Sequence, residues 1–386
     1  MAGAECPAKE ASMIIGVPKE IGRHENRVGL NRLAVQRLVE AGHKVLIEKG
    51  SGDMSKFTDE DYQKAGASIV YRAKEIYERS DIVCKVGRPS KEEAEMVREG
   101  QIVCAFHHLA VAPRNVVDRL LAKKATLIGY EIVEDADGDR SVLIPFSEMA
   151  GQMAVHEAAH YLQVQEGGRG ILLGSAPAIP PSTVVIIGAG TAGTAAARQA
   201  KAAGAHVIVL GQDIGRLRAL HHELGVVTVI AASTDRIAQY VKIADVLIGA
   251  VLVPGAKSPI LVTEEMVKSM KPGSVIVDLS IDQGGTVETS RPTTPDDPVF
   301  IRHGVVHYCV PNMTSRIPRT ASRALGNAVL PIVLEIAEKG IERALLENPG
   351  LRKGVYMLKG VLTNKAVAEL HGVESKPVEH LLGEGK

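Results

Sequence analysis

The stretch TVVIIGAGTAGTAAARQAKAAGAHVIVL, residues 183–210, restricts what this chain can fold into more than any other. A Val/Ile run breaks at Gly188, Gly190 and Gly193; an alanine-rich helical pattern and a second apolar run follow. Strand, G-x-G-x-x-G turn, helix and strand come in the order that a dinucleotide-binding β-α-β unit demands. Gly188 permits the tight turn, Gly190 lets the backbone approach a pyrophosphate, and Gly193 allows close helix–strand packing. The helix N-terminus then carries the anion. The bland alternative is a glycine-rich turn with no ligand, but it leaves the ordered context unexplained.

The rest of the chain repeats this alternation. Strand candidates precede the glycine turn at 13–17, 44–48, 68–71, 81–86, 101–106 and 125–130, with helical patterns between several of them. The helical pattern NRLAVQRLVEAG ends on Gly42, a good C-cap. A second series, TVVIIGAG, HVIVL, VVTVIA, DVLIGAV, SVIVDLS and VVHYCV, follows residue 180. The expected fold class is α/β, with two doubly wound, parallel-sheet, Rossmann-like domains. Two long helices should join them, one over roughly 147–165 and one over 320–345, the second bent by Pro331. The reading is therefore a loose N-terminal tail (1–12), a discontinuous substrate domain (13–146 and 320–386) and a dinucleotide-binding domain (147–319). A helical C-terminal segment should complete the first domain, and a cleft between the domains is the natural ligand site.

Composition narrows the function classes. Of 386 residues, 45 are Lys or Arg and 45 Asp or Glu, so no global charge draws the chain to nucleic acid or an anionic membrane. There is no Trp and little Phe, which leaves few platforms for stacking bases. No apolar stretch matches a membrane span, and the opening MAGAECPAKEAS lacks a signal core. Cys6, Cys84, Cys104 and Cys309 form no CxxC pair, and two sit in apolar runs. Buried thiols in the cytoplasm are the expected state.

One motif points elsewhere. His156-Glu157-Ala158-Ala159-His160 has the His-Glu-x-x-His spacing of zinc hydrolases, with two imidazoles on one helical face. A third ligand is missing. On a continuous helix Glu166 would lie about 9 Å beyond His160 along the axis, whereas zinc needs ligands converging at about 2 Å. The flanking Met153, Ala154, Ala158, Ala159 and Leu162 read as an apolar stripe, so the expectation is no metal.

Polar residues gather instead where strands end. FHHLA puts His107 and His108 past one strand, DLSIDQGG puts Asp282 at the end of another, and DIVCKVGRP ends a third with Lys85. Open parallel sheets bind ligands outside the carboxyl ends of their strands, so these groups can serve one site. For a lone Asp or Lys there, solvent exposure or a helix cap is an equal alternative. The ribose-binding position is ambiguous too. Asp213 could take the ribose hydroxyls and favour NAD, or Gly211 could leave room for a 2′-phosphate neutralised by Arg216 or Arg218. Alternatively, Asp213 merely caps the next helix.

The segments MIIGVPKEIGRHENRVGL, FHHLA, SEMAGQMA, VVIIGAGTAG, GAVLVPGAKSPILVTEEMV, MKPGSVIVDLSIDQGGTVETSRPTT and NAVLPIVLEIA resemble alanine dehydrogenases. More distantly, they resemble the soluble NAD-binding domain of the transhydrogenase α subunit. The likeness runs from Met13 to about Gly372. It implies reversible oxidation of L-alanine to pyruvate and ammonium with NAD, in a homo-oligomer, a hexamer. The alternatives are a dehydrogenase or imine reductase for another small 2-oxo acid, or a transhydrogenase-like module that binds NAD(H) without substrate chemistry.

Carried over by resemblance, Arg27 and Lys85 would hold the substrate carboxylate and carbonyl oxygen, and His108 would be the general acid/base. Asp282 would assist the water or ammonia that adds to the substrate carbon. Ser147 and Asn312 would contact the cofactor near the nicotinamide, Asn312 touching substrate as well. The chain departs from the family pattern at Phe146 (Met in relatives), Gly211 (an acid), Ser280 (Ala), Pro311 (Ala) and Thr314 (Pro). These positions border the nucleotide and substrate pockets and bear on the choice of both, NADP included.

Overall fold

A computed structural model describes residues 12–231, 233–253 and 257–383. Most of the expected tail, with Cys6, and part of the GAVLVPGAKS motif lie outside them. Ser12, the last tail residue, is fixed by its hydroxyl, which donates to Gly42 O at 2.8 Å.

The apolar runs do not alternate with polar residues, and such strands need both faces covered. They form two sheets. The first series supplies β1 (Ile14–Val17), β2 (Lys44–Glu48), β3 (Ser68–Val70), β4 (Ile82–Gly87), β5 (Ile102–Phe106) and β6 (Thr126–Gly129). The second supplies β7 (Thr183–Ile187), β8 (His206–Gly211), β9 (Val227–Ile230), β10 (Val246–Gly249), β11 (Val275–Asp278), β12 (Val299–Arg302) and β13 (Val305–Tyr308). Every residue of β5, β10, β11 and β13 is buried. Each buried Val, Ile or Leu contributes about 1.5–3 kcal/mol.

The fold is α/β and Rossmann-like, with one correction: the sheets are mixed. The C-terminal segment is not only helical, since it carries β14 (Val355–Leu358) and β15 (Val361–Leu362). The first sheet runs β15-β14-β6-β5-β4-β1-β2-β3, and both C-terminal strands pair antiparallel at its edge. The second runs β12-β13-β11-β10-β7-β8-β9, with β12 antiparallel at its edge. All other pairs are parallel. Strand order therefore reverses between β1 and β4 in one sheet and between β7 and β10 in the other, the switch points where such sheets bind ligands.

The chain divides into two units, Met1–Leu143 with Ile317–Lys386, and Ile144–Arg316. Both crossings come slightly before the expected boundaries, at the starts of the helices Leu143–Tyr161 and Pro318–Lys339. The second helix runs unbroken through Pro331 and stops at Gly340, where φ is +73°; a separate helix, Ile341–Glu347, follows. Polar contacts tie it back into the first unit. Asn31 caps the helix Arg32–Glu40 by accepting from Ala34 N, while its amide donates to Arg323 O (3.0 Å) and Asn327 Oδ1 (2.9 Å).

Candidate active site

In the first unit the polar groups collect beyond the carboxyl ends of β1, β4, β5 and β6. Lys85 sits in β4 with no exposed surface. From Cys84 to Gly87, β4 takes three steps while β5 takes two, from Cys104 to Phe106, so the strand bulges at Lys85 and Val86. The carboxylate of Glu20, just past β1, closes the bulge. One oxygen accepts the Val86 N–H (2.7 Å) and the other the Lys85 ammonium (3.0 Å). Glu93 takes Lys85 from the other side at 2.7 Å, accepts from Tyr77 Oη at 3.2 Å, and completes a capping box with Ser90. Burial pulls the Lys85 ammonium toward neutrality, but the Glu20 and Glu93 charges outweigh it and raise its pKa overall. Glu20 is itself raised, by burial first, with Lys85 opposing and Glu25 and Glu93 adding to the rise.

Arg27 is buried in the loop after β1, and its fork closes on Glu25: Nε to Oε1 at 2.7 Å and Nη2 to Oε2 at 2.5 Å. The two adjacent histidines differ. His107 is fully buried, with Nε2 3.1 Å from Val103 O, and burial lowers its pKa to about 4. It is a neutral core residue at pH 7. His108 takes up the left-handed backbone conformation (φ +43°) and is 18% exposed; its ring lies parallel to that of Phe106, with centroids 6.0 Å apart. Its backbone N–H donates to Glu131 Oε1 at 2.5 Å, and the same oxygen lies 3.8 Å from the ring Nδ1. Buried Glu131, just past β6, thus fixes the turn that presents His108.

The second unit carries the nucleotide loop. At the β7/β10 switch point Gly188 has φ +116°, and a Cβ there would collide with Ala250 O. A Cβ at Gly193 would collide with Gly188 O, so the helix Thr191–Ala202 packs directly on the turn. At Gly190, the N-cap, nothing comes nearer than Arg216 Nη1 at 3.9 Å, which leaves the backbone approachable. This cradle at a helix N-terminus fits a pyrophosphate. Asp213 caps the helix Ile214–Leu224 by accepting from Arg216 N at 3.1 Å, and its other oxygen lies 3.6 Å from Arg216 Nε. The cap is real, and Arg216 leans over the glycine loop. A Cβ on Gly211 would sit 3.0 Å from Ala189 Cβ, beside that loop.

Asp282 is not at a strand end. β11 stops at Asp278, and Asp282 lies in the following 3-10 turn, Leu279–Gln283. Buried Asp278 occupies the strand end and accepts from Ser280, Thr286 and Val287 N, shaping the loop. Asp282 Oδ1 accepts the N–H of Asn312, a left-handed residue, at 2.8 Å, so these two expected site residues are in contact. The Ser280 hydroxyl donates to Val251 O (2.8 Å) and accepts from Val251 N (3.0 Å), a link between the chain ends of β10 and β11 that alanine could not make. Ser147 is half-buried near the start of the helix Leu143–Tyr161.

The helix bearing His156 and His160 does not continue to Glu166. It ends at Tyr161, and a 3-10 turn, Val164–Glu166, brings Glu166 Oε2 back to 3.6 Å from His160 Nε2. His156 Nε2 faces the Gln199 amide at 3.2 Å. Both histidines line an open groove of about 610 Å³ with Val155, Gln163, Leu173 and Gln199. Among the described residues no group of three or more His, Cys, Asp or Glu side chains could hold a metal.

Sequence reasoning missed the carboxylates Glu20, Glu25, Glu93 and Glu131. Glu20 and Glu131 had a usable signal, since each follows an apolar strand run by two or three residues.

Comparison with known proteins places the chain in a family. The family descriptions "Alanine dehydrogenase/PNT, N-terminal domain" and "Alanine dehydrogenase/PNT, C-terminal domain" match residues 16–151 and 154–365. The chain is 48% identical over 374 residues to an alanine dehydrogenase of Methanococcus maripaludis, covering 96% of this chain and all of that one. It is 46% identical over 372 residues to alanine dehydrogenase 2 of Staphylococcus aureus, again covering 96% of this chain and all of the relative. A solved L-alanine dehydrogenase superposes with a TM-score of 0.86 at 42% identity, covering 93% of this chain and 99% of that one. A transhydrogenase structure from Sinorhizobium meliloti superposes with a TM-score of 0.76 at 26% identity, covering 92% and 99%. The chain belongs to the alanine dehydrogenase/PNT family.

Proposed function

We propose that the chain catalyses the reversible oxidative deamination of L-alanine to pyruvate and ammonium with a nicotinamide cofactor. The observation that carries this is Lys85, a fully buried cation held by two carboxylates at the β1/β4 switch point. A module that only bound nucleotide through its glycine loop would have no use for it.

A bound nicotinamide cofactor supplies the hydride acceptor, or in the reverse direction the donor. Lys85 places a fixed positive charge beside the substrate carbonyl oxygen, where negative charge develops as the carbon is attacked. His108, turned outward by Glu131, moves the proton to and from that oxygen or the nitrogen that replaces it. Asp282 orients the water or ammonia that adds to the α-carbon, and Arg27 faces the substrate carboxylate. Asn312, held through its N–H by Asp282, and Ser147 contact the nicotinamide end. Gly188, Gly190 and Gly193 receive the pyrophosphate, with Asp213 and Arg216 at the ribose. NAD is preferred over NADP, by a smaller margin than in relatives with an acid at position 211.

Among the described residues no helix is long and apolar enough to cross a membrane. Cys84 and Cys104 are register partners on β4 and β5, buried and unbridged, which supports a reducing, cytoplasmic setting. A homohexamer is the assembly the family resemblance implies. The test is a panel of small 2-oxo acids with ammonium and NADH or NADPH, followed by cofactor absorbance. Pyruvate should be the best substrate. Tight NADH binding with no turnover of any 2-oxo acid would replace this reading with a nucleotide-binding module.

A further inference from the structure

His108 keeps a left-handed backbone although it carries a side chain, a conformation that persists only where the surroundings hold it. Inside the turn that follows, Val111 N–H donates to His108 O (3.0 Å) and Ala112 N–H to Leu109 O (3.2 Å). Two further contacts come from outside it. Glu131 accepts the His108 N–H and fixes the peptide plane before this residue. The other arrives from the far end of the chain. His371, buried just past the helix Lys365–Leu370, has its Nε2 2.8 Å from Leu109 O. A carbonyl oxygen only accepts, so Nε2 carries the proton and donates. His371 thereby fixes the peptide plane after Leu109, and the torsions of His108 and Leu109 lie between the two clamps.

The platform under His371 is itself fixed. Asn364 caps the helix by accepting from Val367 N, and Leu362 of β15 bridges to Ser375 and accepts from Lys376 N at 2.9 Å. Val367 and Ala368 share one apolar core with Leu109 and Ala112. Apolar packing alone would fasten this helix, but it has no direction. A hydrogen bond to the carbonyl beside His108 does, and a catalytic group must be held within a fraction of an ångström. We infer that His371 is a positioning residue for His108, through which the C-terminal segment holds the turn that presents the imidazole. It acts on that turn rather than on substrate or cofactor. The inference rests on the reading of His108 as the general acid/base.

The experiment compares the parent with His371→Phe, which keeps a ring but no donor, and His371→Gln, whose amide can still donate. His108→Ala, alone and combined with His371→Phe, completes the set. Pyruvate amination, NADH affinity, thermal midpoint and amide exchange over residues 108–112 are measured. His371→Phe should lower kcat by about ten- to a hundredfold with NADH affinity unchanged, and should quicken exchange of the Val111 and Ala112 amides. His371→Gln should recover most of both. In the His108→Ala background His371→Phe should lower turnover no further, because its effect passes through the imidazole. If His371→Phe does not fold, His371→Asn, whose donor falls short of Leu109 O, takes its place. A merely structural role would lower the thermal midpoint and cost the same factor in turnover with or without His108, and that result would overturn the inference. So would a kcat within twofold of the parent in the donor-less variant. His108→Ala turning over pyruvate at the parent's rate would instead refute the role given to His108, and this inference with it.

Discussion

Replacing Lys85 with methionine removes the cation from the Glu20–Lys85–Glu93 cluster and keeps most of its volume. At 3.0 and 2.7 Å, and with an effective dielectric of ~20, each ion pair contributes about 6 kcal/mol before desolvation. The variant does not lose the sum, because the stranded carboxylates can protonate instead of remaining charged. Protonating a glutamate of ordinary pKa at pH 7 costs about 3.7 kcal/mol, so two limit the loss to about 7 kcal/mol. Measured losses for broken buried pairs are about 3–5 kcal/mol, and Lys85→Met should fall there at pH 7.5.

The pH dependence tests the cause. Glu20 is already raised by burial, and without Lys85 it rises further. A carboxyl raised in the folded state stabilises at low pH and loses that contribution as pH climbs through the raised value. The gap between parent and variant should therefore narrow by about 1.4 kcal/mol per pH unit for each extra proton held, roughly 2.7 kcal/mol between pH 7.5 and 5.5. Glu20→Gln is the companion: it leaves the Lys85–Glu93 pair, but its single amide oxygen can serve either Val86 N–H or the Lys85 ammonium and not both, so it should cost about 1–3 kcal/mol, less than Lys85→Met. Urea unfolding of all three proteins at both pH values decides. A gap independent of pH, or a Glu20→Gln loss larger than that of Lys85→Met, would refute the electrostatic account.

His108→Ala should lower turnover by at least ~100-fold and leave NADH affinity intact; intact turnover there, with His107→Ala crippled, would reverse the choice of histidine. Gly211→Asp should shift the ratio of kcat/KM for NADH over NADPH upward by about ten- to a hundredfold, and an unchanged ratio would show that position 211 does not face the ribose. His156→Ala and His160→Ala should each keep dehydrogenase activity within a few-fold, and metal analysis should find no stoichiometric zinc. One tightly bound zinc lost in either variant would establish a metal site on that helix.

The nucleotide loop was legible because its constraints are local. Gly193 is dictated by a collision with Gly188 O five residues away and Gly188 by its positive φ and by Ala250 O past the adjoining strand, while Gly190 keeps the loop open, and the expected β7 and β8 match the observed ones closely. The antiparallel edges were not legible: β12 is partly exposed and resembles a loop, β15 is only two residues long, and β14, although an apolar four-residue run, follows a series of helices and finds its partner β6 more than 200 residues back in the chain. The partners of the site residues were hidden for a different reason. Glu20 lies 65 residues from Lys85 and Glu131 lies 23 from His108, and nothing local selects those carboxylates over others. The helix ends at Tyr161, four residues short of the expected 165, an expectation set by the first glycines that could mark a stop, Gly167-Gly168. A Cβ at Gly168 would collide with Tyr161 O, so that glycine marks where the chain folds back on a helix already ended.

The β14–β15 hairpin determines the order in which a ribosome can release finished structure. All strands of the second sheet lie in one uninterrupted segment, Ile144–Arg316, and can pair as soon as that segment emerges. The first sheet begins earlier and closes later, because the outer edge of β6 has no partner until β14 is made, after the whole second unit. During that interval a nascent chain displays the unpaired N–H and C=O groups of a buried, apolar strand. Chains clustered on one messenger would present identical edges to one another, so slowed translation between β13 and β14 should lower soluble yield without altering the stability of molecules that finish.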